Sequence, residues 1–491
     1  MSEERMMILN LLRDGKISAP EAERLLHAVR DAAPPPPAAP PPPEATSAFG
    51  QAAKAAGQAA SLAGKAFDYI PKPKVDTGKF GEKVSEAANE ALRAAKSAAR
   101  DVAAEVGKIT QQTKQALHFD APSVFGSDAG RPANRGGQPE ASETAHSDVT
   151  WSGADRLLLV NSYGNIKVTG QDGPAGAAQA TLTKTAWAEG DGAAQVLLQQ
   201  VFLVSRVEGG QCRVEVIAPT DAGGRLTVDY EITVPQNVSL EVQTTFGAVE
   251  AQGTSPALVA RSQSGRLAVR RPWREGAGEA RLTTASGDVL LDGWNAPSGS
   301  LLVETASGDV EAQDVHCGRN LSLSSRSGDI AVTDGSAGTR ATAQTQSGGV
   351  RLTRLRAEQV QVETVSGSAT LREVSGALTL KTVSGTVDAS GLNSAAVSLN
   401  TVSGDARLSF AAPFSGSVAG TTVSGDITLS LWDNSDTRVD MTTTSGDLSC
   451  ALPLADREGD GTRHLAGKLG EGTGSLKLQS VSGDLKIEAQ R

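Results

Sequence analysis

The chain has 491 residues, with 46 Lys and Arg against 56 Asp and Glu, a formal charge of −10. That acidic balance excludes a general nucleic-acid binder, which needs a basic face. Aromatic residues are only 3% of the sequence and glycines number 53, a mix that argues against a thick-cored enzyme and for short strands joined by tight turns.

In chain order, residues 1–31 read as a helical hairpin. Met7, Ile8, Leu11 and Leu12 make an apolar stripe, and Asp14-Gly15-Lys16 breaks it. Ser18 and Glu21 then form a capping box with Pro20 in the first turn, and Ala22, Leu25, Leu26 and Val29 continue the stripe. So short a hairpin buries little surface alone, which points to a protein partner or self-association. Residues 32–49 carry PPPPAAPPPP, a stiff polyproline spacer. Residues 50–118 are rich in Ala and Lys, and Val84, Ala88, Ala91, Ala95, Ala98, Val102, Val106, Ile109, Thr113 and Leu117 follow an eleven-residue helical period. With 11 basic and 7 acidic residues, net +4, this segment is a basic amphipathic helix suited to weak contact with an anionic membrane. Its apolar face is mostly alanine, which limits that affinity. Residues 119–148 read as a disordered linker, and 149–245 as a less regular β cap region.

From 246 to 491 a period near 20 residues sets in, the sign of a solenoid. Its corner glycines are Gly247, Gly265, Gly287, Gly308, Gly328, Gly348, Gly367, Gly385, Gly404, Gly425, Gly446 and Gly483. Three residues before each stands a hydroxyl residue: Thr244, Ser262, Thr284, Thr305, Ser325, Thr345, Thr364, Thr382, Thr401, Thr422, Thr443 and Ser480. The positions two and four after the glycine are apolar, as in Val310 and Ala312, and so is the position five before it except at Gly420. Two short strands meeting at a corner explain these columns. The glycine is expected to absorb the phase change by adopting angles forbidden to other residues, and the hydroxyls to stack as a ladder. The fold class is therefore mainly β: a β-solenoid (β-helix) of ~20-residue coils, a rod on the order of 50 Å at ~4.8 Å per coil, preceded by the helical hairpin and the long flexible or helical insert. A meander of hairpins is the competing architecture, because Ser-Gly also suits a two-residue turn. The final GSLKLQSVSGDLKIEAQ is expected to form the far end of the rod.

After the glycine, Asp288, Asp309, Asp329, Asp405, Asp426 and Asp447 make two clusters of three, with Asp484 in the same column. This row is the candidate binding row for a cation or cationic partner, although Asp also favours turns by bonding nearby N–H groups. The five histidines, His27, His118, His146, His316 and His464, are isolated in sequence, and no phosphate loop, dinucleotide fingerprint or nucleophile elbow is present. The expectation is no catalytic residue, no metal and no cofactor. Cys212, Cys317 and Cys450 are odd in number and form no Cys-x-x-Cys pair, which leaves no disulfide framework and favours a reducing compartment. The N-terminus lacks the basic and apolar regions of a secretory signal, and no run of about 18 apolar residues occurs. The expected location is the cytoplasm, at most peripheral to the inner face of the membrane, with the cell surface as the alternative.

Two stretches resemble a known family. VETASGDVEA, LSSRSGDIAV, NTVSGDARL and TTTSGDLSC, preceded by VDYEITVPQNVSLEVQTTFGAVEA, resemble the bacterial putative-adhesin β-strand-repeat family (domain of unknown function 4097). EERMMILNLLRDGKISAPEAERLLHAV resembles the short helical domain that precedes that β domain in LiaX/YvlB-type proteins. The resemblance implies a non-enzymatic scaffold or sensor in the cell-envelope stress response, and carries no catalytic residues. An exported adhesin-like surface protein is the alternative, and a polysaccharide-active β-helix enzyme a third. The proline and Ala/Lys insert between the two stretches departs from the family pattern.

Overall fold

The computed structural model describes residues 141–490, apart from 151–153, 173–176, 188–191, 220, 221, 223, 224, 256 and 272–277. The chain divides into two units, 1–71 and 72–491, and every described residue belongs to the second. The expected hairpin at 1–31, spacer at 32–49, basic helix at 50–118 and the linker as far as 140 lie outside the described residues.

The repeats stack in parallel, each strand pairing with its equivalent one coil along. Leu301 pairs with Leu321 and Thr305 with Ser325 on one side of the corner, and Val310 with Ile330 on the other. A hairpin meander would pair consecutive strands antiparallel, so the solenoid is the architecture. Alternation decides which side chains turn inward. In Ser300–Thr305 the residues Leu301, Val303 and Thr305 are buried, and past the corner Val310 and Ala312 are buried. A third short run adds Val315 and Cys317 to the same interior. Each fully buried Val or Leu contributes about 1.5–3 kcal/mol, and each lies over its counterpart, so the core is one continuous column.

Corner glycines hold this register by close approach. A Cβ built on Gly308 would lie 2.1 Å from Gly287 O, and one on Gly328 would lie 2.1 Å from Gly308 O. These residues do not have positive φ, and neither do the other corners from Gly247 as far as Gly385, so the expected special angles are corrected there; Gly404, Gly425, Gly446 and Gly483 do adopt positive φ, of 146–158°. The glycine is required because the backbone of the preceding coil occupies the space where a side chain would begin.

The glycine contacts also give the order of coils: Gly164, Gly247, Gly265, Gly287, Gly308, Gly328, Gly348, Gly367, Gly385, Gly404, Gly425, Gly483, Gly446. This differs from the expected order at both ends. At the beginning, residues 156–171 are already a coil, not part of an irregular cap: Leu157 pairs with Leu240, Asn161 with Thr244 and Ile166 with Val249. Asn161 takes the Thr place, which hid this coil from the glycine-and-hydroxyl pattern. The segment between this coil and the next caps the stack. Gln211–Ile217 pairs parallel with Arg156–Asn161, and Leu226–Pro235 with Ile166–Gln171. A short helix, Ala193–Gln199, turns Ala194, Leu197 and Leu198 into the core. The expected linker ends earlier than 148, because Ala141–Thr150 is a strand paired antiparallel with Ala177–Ala186 over ten positions. Its small and polar residues alternate in burial, and that period had no apolar signal to announce it.

At the other end, the C-terminal strands do not close the rod. Gly474–Ser482 inserts between Ser417–Ser424 and Thr437–Ser445, pairing parallel with both. Gly420, the one gap in the inward apolar column, is matched by this insertion: a Cβ there would meet Leu478 Cδ2 at 2.8 Å. The coil of Thr437–Cys450 is the last rung, covered by the antiparallel strands His464–Leu469 and Ala455–Glu458. Among the described residues no helix is long and apolar enough to cross a membrane.

Gly308→Ala therefore forces backbone against backbone rather than against a movable side chain. It should destabilise the protein by about 3 kcal/mol or more, read as a fall in the denaturant midpoint.

Candidate binding surface

The hydroxyl column sits beside the corner and is buried. Thr305 Oγ1 donates to Gly287 O at 3.3 Å, Ser325 Oγ to Gly308 O at 3.1 Å and Thr345 Oγ1 to Gly328 O at 3.0 Å. Thr284, Thr364 and Thr443 bond the glycine carbonyl of the neighbouring coil in the same way. The hydroxyl residues stack rung on rung as expected, and the hydrogen bonds along the ladder run from hydroxyl to glycine carbonyl. Thr382, Thr401, Thr422 and Ser480 are buried with no hydrogen-bond partner for the hydroxyl.

The Asp row is joined rung to rung. Asp309 N–H donates to Asp288 Oδ1 at 3.0 Å, Asp329 N–H to Asp309 Oδ1 at 2.8 Å and Gly349 N–H to Asp329 Oδ1 at 2.7 Å. In the second cluster Asp426 N–H donates to Asp405 Oδ1 at 3.1 Å, Asp484 N–H to Asp426 Oδ1 at 2.8 Å and Asp447 N–H to Asp484 Oδ1 at 2.8 Å. The inserted coil places Asp484 between Asp426 and Asp447, so this cluster holds four carboxylates rather than three. Asn165 Oδ1 accepts from Ala248 N–H at 2.7 Å in the first coil, which shows that an amide oxygen does the same work. Each side chain satisfies a corner N–H of the next coil, as a turn Asp does within its own loop. Among the described residues no three His, Cys, Asp or Glu side chains converge as a metal site.

A second corner, six residues after the glycine, escaped the sequence pattern. There the backbone is left-handed at Gly253, Gly293 and Gly391, with φ of 64–68°, and equally at Arg271, Asp314, Asp334, Arg354 and Glu373, with φ of 42–57°. Non-glycine residues in this region cost roughly 1–2 kcal/mol each. The mixture of Gly with charged residues left no single-letter column to read. Arg354 Nη2 donates to Asp334 Oδ2 at 2.7 Å. The Arg354 hydrogen bond holds the Asp334 carboxyl below its ordinary range. His316 Nε2 lies 3.0 Å from Asp314 Oδ1, and its Nδ1 lies 2.7 Å from Ser336 Oγ, so His316 is not isolated in space. The His316 and Asp314 side chains are 44% and 62% exposed, unlike the water-excluded setting that acyl transfer needs.

On the outward face of the strand before the first corner, two carboxylates are nearly buried. Glu363 meets Lys381 Nζ at 2.9 Å and accepts from Gln344 Nε2 and Gln361 Nε2, while Glu304 accepts from Arg281 Nη2 at 2.9 Å. These pairs link neighbouring coils across the face. Burial pushes the Cys317 thiol up to about 12 and also raises Cys212 and Cys450, which disfavours the nucleophilic thiolate.

The repeat face is thus a surface of Ser, Thr, Asp and paired charges cross-linked between coils. Residues 295–488 match the family described as Toastrack DUF4097. Residues 3–32 match a SHOCT-like domain. No curated protein matches the chain. Similar solved structures include a "putative lipid binding protein" from Parabacteroides distasonis ATCC 8503, 17% identical over 57% of this chain and 96% of that one, with TM-score 0.30. A "putative adhesin" from the same organism is 11% identical over 58% and 96%, with TM-score 0.30. Another, from Bacteroides fragilis NCTC 9343, is 11% identical over 70% and 97%, with TM-score 0.22.

The two kinds of ladder hydroxyl separate on mutation. Thr345→Val removes a bonded donor and should cost about 1 kcal/mol, whereas Thr401→Val removes an unpartnered one and should be neutral or stabilising, both read from chemical denaturation.

Proposed function

We propose that the protein is a non-enzymatic scaffold or sensor of the bacterial cell-envelope stress response, with the Toastrack solenoid presenting the binding surface. One observation carries the reading: the repeated hydroxyls and carboxylates that resemble reactive groups in a single coil are buried in the column or bonded to the neighbouring coil. What remains for a partner is an extended outer face of polar and paired side chains, suited to recognition by shape and charge rather than to turnover. The N-terminal match to a SHOCT-like domain supports a separate docking module on the same chain. In this reading residues 1–31 engage a protein partner or a second copy. The basic segment 50–118 adds weak attraction to an anionic membrane, and the chain works in the cytoplasm near the inner membrane face.

Deleting the gene and challenging the cells with a membrane-active cationic peptide tests the proposal. The expected result is a several-fold change in an envelope-stress reporter, restored by the full chain and not by a chain lacking residues 50–118. An unchanged reporter, together with destruction of the protein by protease added outside intact cells, would replace this reading with an exported adhesin.

A further inference from the structure

The described apolar exposure gathers at one end of the solenoid. Val196, Phe202, Val207 and Ile217 are 55%, 58%, 45% and 42% exposed, and all four lie on the helix Ala193–Gln199 or the hairpin of Phe202–Glu208 and Gln211–Ile217. Phe202–Glu208 pairs antiparallel with Gln211–Ile217 along one edge. Among the described residues no strand pairs with its other edge. The side chains that face inward from this strand are Leu203, Ser205 and Val207, opposite Val216, Val214 and Cys212. Those three partners are buried at 5%, 0% and 0%. Val207, in the same inward column, is 45% exposed because no further rung covers it.

Other terminal strands are protected. Ala141–Thr150 reads ASETAHSDVT and Ala455–Glu458 reads ADRE, polar and charged in the way that keeps sheet edges from pairing. FLVSRVE carries one Ser, one Arg and one Glu among four apolar residues and offers both free backbone groups and an uncovered core.

We propose that Phe202–Glu208 is a homodimerisation edge, at which two copies of this chain pair antiparallel about a twofold axis through Ser205 and join their solenoids end to end. The strand's own sequence selects a second copy and a register. With Ser205 on the axis all seven residues pair, Leu203 faces Val207 of the other copy, and Val204 faces Arg206. The inward column then runs unbroken from one core into the other, with Leu203 and Val207 of each copy covered. Centring the axis on Arg206 sets two like charges opposite each other, which is destabilising. Centring it on Val204 leaves Val207 beyond the paired stretch. The interface is independent of the N-terminal segment 1–31.

Sedimentation and disulfide trapping of the full chain test this together. Ser205→Cys should form an intermolecular disulfide on mild oxidation, since residues facing across the axis lie within bridging range. Arg206→Cys should not, because its counterpart is displaced along the strand by two residues, beyond the ~7 Å limit. The unsubstituted protein, whose Cys212 and Cys317 are buried, is the control. Val207→Lys, with an unchanged circular dichroism spectrum, should weaken the dimer at least ~tenfold. A wild-type chain that is monomeric at about 100 μM would overturn the proposal, that being a concentration at which even weak specific pairs associate. So would a dimer that survives Val207→Lys, which would assign association to another segment, or equal trapping by the two cysteine variants.

Discussion

The solenoid depends on one contact, the approach of each corner glycine to the carbonyl of the glycine in the coil before it. Positions for a Cβ at these corners lie 1.8–2.2 Å from that oxygen in the coils from Gly247 to Gly404. No side chain fits, so the spacing of the coils is set by backbone alone. The other regularities follow from that spacing. A hydroxyl three residues earlier comes within reach of the same carbonyl, a carboxylate one residue later meets the next coil's N–H, and the inward aliphatic residues stack. The polar groups around the corner are therefore parts of one device, and their repetition reflects mechanical need.

That device does not depend on chain order. The coil closed by Gly483 enters between those of Gly425 and Gly446 although it comes last in sequence. Its Thr-or-Ser, Gly and Asp places are filled by Ser480, Gly483 and Asp484, so it matches either neighbour. Gly420 leaves room for Leu478 where an ordinary apolar residue would clash. A rung is accepted wherever its columns match. On the outward faces, Glu304 with Arg281 and Glu363 with Lys381 tie coils together.

Much of this was legible in the residues. The glycine period, the Thr/Ser column and the alternation of Val310 and Ala312 around it were enough for the parallel solenoid. The sequence left open whether Asp309 binds a cation or holds a turn, and the geometry gives its Oδ1 to Asp329 N–H. Asn161 and Asn165 did in the first coil what Thr and Asp do elsewhere, so that coil had no recognisable signature. The left-handed corner at Arg271, Asp314, Asp334, Arg354 and Glu373 was invisible, because backbone conformation there is imposed by stacking against residue preference. The C-terminal insertion was hidden because parallel register leaves no local trace in a strand. The exposed edge at Phe202–Glu208 looked like any other short strand until its neighbours were known.

The central claim, that the corner column is one continuous structural device and not a set of sites, is tested most directly by hydrogen exchange at the corner amides of the intact chain. The N–H groups of Asp309, Asp329, Asp426, Asp484 and Asp447 lie on the exposed rim, yet each bonds the carboxylate of the adjoining coil. The account predicts slow exchange at all five, with Asp484 protected like Asp426 despite its place near the C-terminus. Exchange at the rate of an open loop along the row, or fraying at Asp484 alone, would contradict it.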